Sequence, residues 1–326
     1  MNRRAFLATG LAVALRPTDA LAAPAGGGVV ALVTADLESH VVAVDVDSGR
    51  VVARVRTAPG PRSIESSPFG SAVVAHTRRG LVSLIDTATL SVRSVLGGFG
   101  EPRYTAMHPT ERLAYVTDSS RAEVVTVDLV RGGIVHRTRV PGPARHVSLD
   151  PADRSLWTAL GTKADRVALL ELSEPRRPRL RRVFAPPFLA HDVVVAPDGT
   201  HVWVTSGSRR EIAVYRPGSG SPRVLPADDP PQHVAFADGR AFLASGAAGT
   251  LQVRTVGGDL ERSARIPDGS YNVTYASVGA NGRRGGAVVT PSLDRGTVCM
   301  IAPAGSVRLV RRVARSAHDA CIAGTG

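Results

Sequence analysis

Four of the nine histidines in this chain fall at two adjacent places near the start of a repeating phrase: His146 in ARHVSLDP, His191 in AHDVVVAP, His233 in PQHVAFAD and His318 in AHDACIAG. Imidazole nitrogen is a preferred ligand for copper and zinc, and a neighbouring carboxylate can hold the ring in one tautomer. Asp192 and Asp319 directly follow two of these histidines. Other copies of the phrase carry arginine: Arg62 in PRSIESSP, Arg103 in PRYTAMHP and Arg145 beside His146. A guanidinium fork grips carboxylate or phosphate through two parallel N–H bonds. The chemistry on offer is a nitrogen-ligand metal site, an anion site, or both, provided that the repeats converge in space.

Whether they converge depends on the architecture that carries them. The phrase returns seven times, from Pro61, Pro102, Ala144, Ala190, Pro231, Tyr271 and Ala317. A period of about 40 residues marks a repeat fold. Each copy opens a first strand; a second strand, a turn, a third strand near Asp and a variable fourth strand follow. The clearest unit reads YTAMHP, LAYVT, EVVTVD and IVHRTRV between Tyr104 and Val140. Third strands such as EVVTVD alternate imperfectly, as strands covered on both faces do. Pro197-Asp198-Gly199 is a tight turn in which Pro presets φ and Gly allows a positive one. With 43% apolar but only 4% aromatic residues, the core must rest on branched and small side chains, which suit a pleated sheet.

The segments AYVTDSS, VWVTSGS and APDG resemble the repeats of the YVTN family of bacterial β-propellers. The resemblance implies an all-β, seven-bladed propeller of four-stranded blades around a central channel, with residues 23–326 forming one domain. The chain begins this region with second, third and fourth strands at Val29 to Arg56 and ends with a lone first strand from His318. That last strand is expected innermost in the N-terminal blade, closing the ring and leaving no exposed edge. First strands then line the channel, and Arg62, Arg103, Arg145, His191 and His318 meet at one mouth, with His146 and His233 one residue deeper. The family includes binding proteins, lactonases and quinoprotein subunits, so fold leaves function open. Arg145-His146 is similar to a lactonase strand start, but the glutamate expected after the YV pair is replaced by Thr117-Asp118.

Residues 1–22, MNRRAFLATGLAVALRPTDALA, resemble a twin-arginine export signal, with paired Arg3-Arg4, a short apolar run and small residues near Ala22. The run is too short to cross a bilayer core of about 30 Å. A periplasmic or secreted protein is expected, with no transmembrane segment in its mature part. The formal charge is +12 with Lys163 the only lysine, which favours anionic partners by long-range attraction. Aromatic side chains are too scarce for a nucleic-acid stacking surface. Cys299 and Cys321 are expected as buried free thiols, because a bond would need their Cα atoms within about 7 Å across a blade boundary.

No GxSxG, HExxH, CxxC or Gly-rich phosphate loop occurs. The sequence therefore predicts a monomeric binding scaffold that presents a basic channel mouth to an anionic small molecule or an extracytoplasmic protein, with no turnover and no required cofactor. Arg62, Arg103, Arg145, His146, His191, Asp192, His233 and His318 are its candidate ligand-binding residues. The alternative is a metal- or quinone-dependent periplasmic oxidoreductase in which His146, His191, His233 and His318 hold copper or zinc. A lactonase-like hydrolase ranks third.

Overall fold

The computed structural model describes residues 28–152, 154–161, 163–216, 221–278 and 284–324. The expected export signal lies outside them. Each repeat forms a four-stranded antiparallel sheet, and seven such sheets make the propeller. Blade 3 is the plainest: Pro102–Met107 innermost, then Leu113–Asp118, Glu123–Asp128 and Gly133–Arg139 outermost. Channel-lining strands of the other complete repeats are Ser63–Ser66, Ala144–Leu149, Ala190–Val195, Val234–Ala237 and Thr274–Val278. The one helical turn among the described residues is a 3-10 turn over Thr77–Arg79, where the sequence predicted only loop.

Blade 1 is closed as the last repeat requires. Ala320–Gly324 pairs antiparallel with Val29–Ala35, from Val29 opposite Gly324 to Val33 opposite Ala320. The joint is reinforced around Asp319. Its N–H donates to Thr34 Oγ1 at 3.0 Å, and its carboxylate accepts the Ile64 N–H of blade 2 at 3.0 Å. The closing segment thus also binds the second blade.

Packing explains the imperfect alternation of the strands. Along Val29–Ala35, Ala31, Val33 and Ala35 face a cluster shared with Ala276, Val289 and Met300 of blade 7, while Val30 and Leu32 face Ile64, Ala72 and Val74 of blade 2. Both faces of a blade are interior, so apolar side chains occupy successive positions. Cys299 and Cys321 are buried and free, and they belong to different inter-blade clusters. Trp203 is fully buried and donates its indole N–H to Val256 O at 2.8 Å, a packing role between blades 5 and 6. Outermost strands are exposed and carry much of the arginine, as in Arg179–Phe184 and Val307–Arg312. Part of the positive charge therefore decorates the perimeter, away from the channel. Among the described residues no helix is long and apolar enough to cross a membrane.

Candidate metal centre

The threonine of the YVT segment sets the geometry of the channel. Thr117 Oγ1 accepts the Tyr104 N–H, Thr205 Oγ1 the Asp192 N–H and Thr34 Oγ1 the Asp319 N–H, each at 3.0 Å. Two of these hydroxyls also donate to the next blade, Thr34 to Arg62 O at 2.9 Å and Thr205 to Gln232 O at 2.6 Å. One short side chain thereby fixes the start of its own first strand and ties it to its neighbour.

At that point the ladder is interrupted. Pairing slips between Pro102 and Thr105, between Ala144 and Val147, and between Ala190 and Val193. A bulge leaves residues unpaired and re-aims their side chains. Arg103-Tyr104, Arg145-His146 and His191-Asp192 fall in these gaps, so adjacent residues, which a regular strand would send to opposite faces, can both serve one mouth.

His146, His191 and His233 are brought together there, each offering a ring nitrogen, with the three atoms within 4.8 Å of one another. Ring centroids are separated by 4.7 Å for His146–His191, 4.7 Å for His146–His233 and 5.1 Å for His191–His233. Metal–nitrogen bonds of 2.0–2.1 Å in a tetrahedron place nitrogens about 3.4 Å apart, so binding one ion requires the rings to draw together. His233 Nδ1 lies 3.2 Å from Asp192 Oδ2. A carboxylate only accepts, so Nδ1 carries the proton and Nε2 keeps its lone pair free for a metal. His146 is 2% exposed and neither of its ring nitrogens has a hydrogen-bond partner. Leaving a buried polar group unpaired costs about 1–3 kcal/mol, which a coordinated ion would offset.

Electrostatics favour the ligand form of the rings. Burial, then the neighbouring His191, His233, Arg145 and Arg103, hold His146 well below its usual basicity; burial, His233 and Arg145 do the same for His191. Neutral imidazole is the state that binds metals. His318, expected with the other three, is outside the group; burial, Arg62 and His233 lower it to about 3, and Asn272 Nδ2 donates to its main-chain oxygen at 2.8 Å. The sequence-predicted four-histidine set is thus three imidazoles, with His318 beside them.

The arginines form the other half of the mouth. Arg145 is held below its ordinary basicity by burial and by the charges of Arg103 and Arg62. Arg103 Nε donates to Ser119 Oγ at 3.2 Å, and its guanidinium lies 3.5 Å from the half-exposed Glu101. Sequence reasoning missed Tyr104. Its ring lies 3.8 Å from that of His146 and 5.7 Å from that of His233. The signal was present, since Tyr104 holds the same place in its phrase as His146, Asp192 and His233 hold in theirs.

His146 and His233 also line a cavity of about 420 Å³ in the channel. Its polar lining includes Ser63, Glu65, Ser148, Asp192, Asn272 and Asp319. Glu65, which no motif singles out, is pushed up to about 8 by burial; its backbone contact with Ser66 opposes this and Asp319 adds to it. Asp319 is likewise raised by burial, to about 6. Asp118, in the Thr117-Asp118 pair that replaces the lactonase-like glutamate, accepts the N–H groups of Gly100 at 2.7 Å and Glu101 at 2.9 Å and shapes a loop.

Two other histidines serve local structure. His76 Nε2 is 2.8 Å from Ser83 Oγ, and His108 Nδ1 accepts the Glu111 N–H at 3.0 Å.

No family model matches the chain, and no curated protein sequence matches it. Solved structures do. Hydrazine synthase of Kuenenia stuttgartiensis superposes with a TM-score of 0.69 at 16% identity, over 82% of this chain and 90% of that one. Apo AztD from Citrobacter koseri superposes with a TM-score of 0.69 at 12% identity, over 91% of this chain and 98% of that one. A functionally unknown protein from Desulfotomaculum acetoxidans gives 0.74 at 11% identity, over 91% and 99% of the two chains. At such identities the likeness carries the fold alone, and that fold is the seven-bladed propeller.

Proposed function

We propose that this propeller binds one divalent transition-metal ion of the zinc or copper type at its channel mouth, through His146, His191 and His233. The observation that carries this reading is the convergence of three ring nitrogens within 4.8 Å, one of the rings being buried with neither nitrogen satisfied. Imidazole donors suit zinc and copper, and three protein ligands leave a coordination position open. Asp192 positions His233, and Tyr104 backs His146 by ring contact. The open position suits delivery of the ion, binding of a further ligand, or chemistry of the oxidoreductase type. Among the structural neighbours is a hydrazine synthase, which is compatible with that last use. Export by the twin-arginine route would place such a site outside the cytoplasm.

Metal-free protein titrated with Zn(II) or Cu(II) in a calorimeter should take up one equivalent. His146→Ala should weaken binding at least about 100-fold, and Asp192→Asn about 10–100-fold, the range for a residue that orients a ligand. Uptake well below one equivalent, or uptake indifferent to both substitutions, would remove the reading.

A further inference from the structure

The three-imidazole reading leaves the arginines of the same mouth unexplained. Arg103, Arg145 and His191 hold one position in three successive blades, each two residues before a cross-strand pair: Thr105 with Val116, Val147 with Thr158, Val193 with Val204. Arg145 directly precedes His146, and Arg103 directly precedes Tyr104, whose ring lies against His146. All three of these side chains come from bulges. The guanidinium groups therefore flank the metal ligands by construction of the fold.

Charge balance then poses a problem. Three neutral imidazoles leave a divalent ion its full charge, and Arg145 already meets the charges of Arg103 and Arg62 at this mouth. Glu101 meets Arg103 at 3.5 Å from a half-exposed position, while Asp192 is engaged with His233 and with the Val193 N–H at 2.8 Å. The Asp319 carboxylate accepts the Ile64 N–H at 3.0 Å and the Ala320 N–H at 2.8 Å, so these acids are already set against the arginines before a divalent ion adds its charge. A further positive charge is unfavourable here unless an anion accompanies it. The guanidinium fork and an open metal position both select an oxyanion.

We propose that the site takes up metal and a small oxyanion together: one carboxylate or phosphate oxygen fills the open coordination position, and Arg103 and Arg145 hold the remaining oxygens. This rests on the three-imidazole reading and adds to it a ligand class. The two arginines select the anion and the histidines hold the ion, so each binds more tightly in the presence of the other.

Co(II) serves as a visible stand-in for the metal. The full-length protein, loaded with Co(II), is titrated at constant ionic strength with acetate in one arm and inorganic phosphate in the other. The visible band should shift saturably with at least one of them, and that anion should tighten Co(II) binding at least 10-fold in the wild-type protein. In Arg103→Gln/Arg145→Gln protein the anion should bind at least 10-fold more weakly, while Co(II) is still taken up. A Co(II) band that neither anion changes, together with Co(II) affinity indifferent to both, overturns the proposal and leaves the metal reading standing. Equal anion binding in wild-type and variant protein overturns it too. Absence of any Co(II) band removes the metal reading and this one with it. If the double variant fails to fold, the single variants Arg103→Gln and Arg145→Gln carry the same comparison, and anion binding equal to wild type in both overturns the proposal.

Discussion

Glu65 offers the sharpest test of the channel's interior. Its carboxyl is raised from 4.5 to about 8, mainly by burial. The folded protein keeps this proton where the unfolded chain releases it, so the unfolded state binds fewer protons between these values. Stability must therefore fall as pH rises from 4.5 to about 8, and then level off. At 1.36 kcal/mol per unit the full gap is about 5 kcal/mol. Glu65 lines a cavity open to water, and screening reduces this to about 2–3 kcal/mol. Glu65→Gln cannot ionise and keeps the oxygen that accepts the Ser66 N–H at 3.1 Å. Urea unfolding at pH 5 and pH 9 should show the wild-type protein losing about 2–3 kcal/mol more than the variant. Asp319, raised by burial from 3.8 to about 6, adds its own loss of stability over that range in both proteins. Equal losses, or a variant less stable than wild type at pH 9, would refute the argument that a proton is held in the channel.

Acid acts through other groups. Burial lowers His76 from 6.5 to about 4, so its contribution is fully present above 6.5 and is lost as pH falls through 4; His76→Gln should remove about 2 kcal/mol of acid sensitivity, read from thermal unfolding at pH 7 and pH 4. Ending the chain after Ala317 removes five cross-strand pairs, the Ile64 contact of Asp319 and the buried Ala320, Cys321 and Ala323. That loss, of about 5 kcal/mol or more, rivals the total stability of an ordinary domain. The truncated protein should lose its cooperative transition by calorimetry and become susceptible to limited proteolysis; an unchanged transition would mean that ring closure is not what holds the first blade.

The seven-fold phrase, the turn residues and the orphan strand at Ala317 were enough to give the blade count and the mode of closure, because strand order in a propeller follows chain order. They also indicated where His146, His191 and His233 converge, since every first strand starts at the same mouth. Sequence alone could not separate neighbours within the phrase. In a regular strand His191 and Asp192 would point to opposite faces, and only the bulges, pinned by Thr117 and Thr205 in blades 3 and 5, let adjacent residues share a site. Nor could it divide the histidines: His146, His191 and His233 come from three consecutive blades and meet, whereas His318 belongs to the closing strand and lies outside the group. Tyr104 and Glu65 acquire their roles wholly from what the ring places beside them. Period and strand pattern are local properties that a sequence states outright; which side chains touch across a channel depends on blade curvature and bulge geometry, and these exist only once the ring has closed.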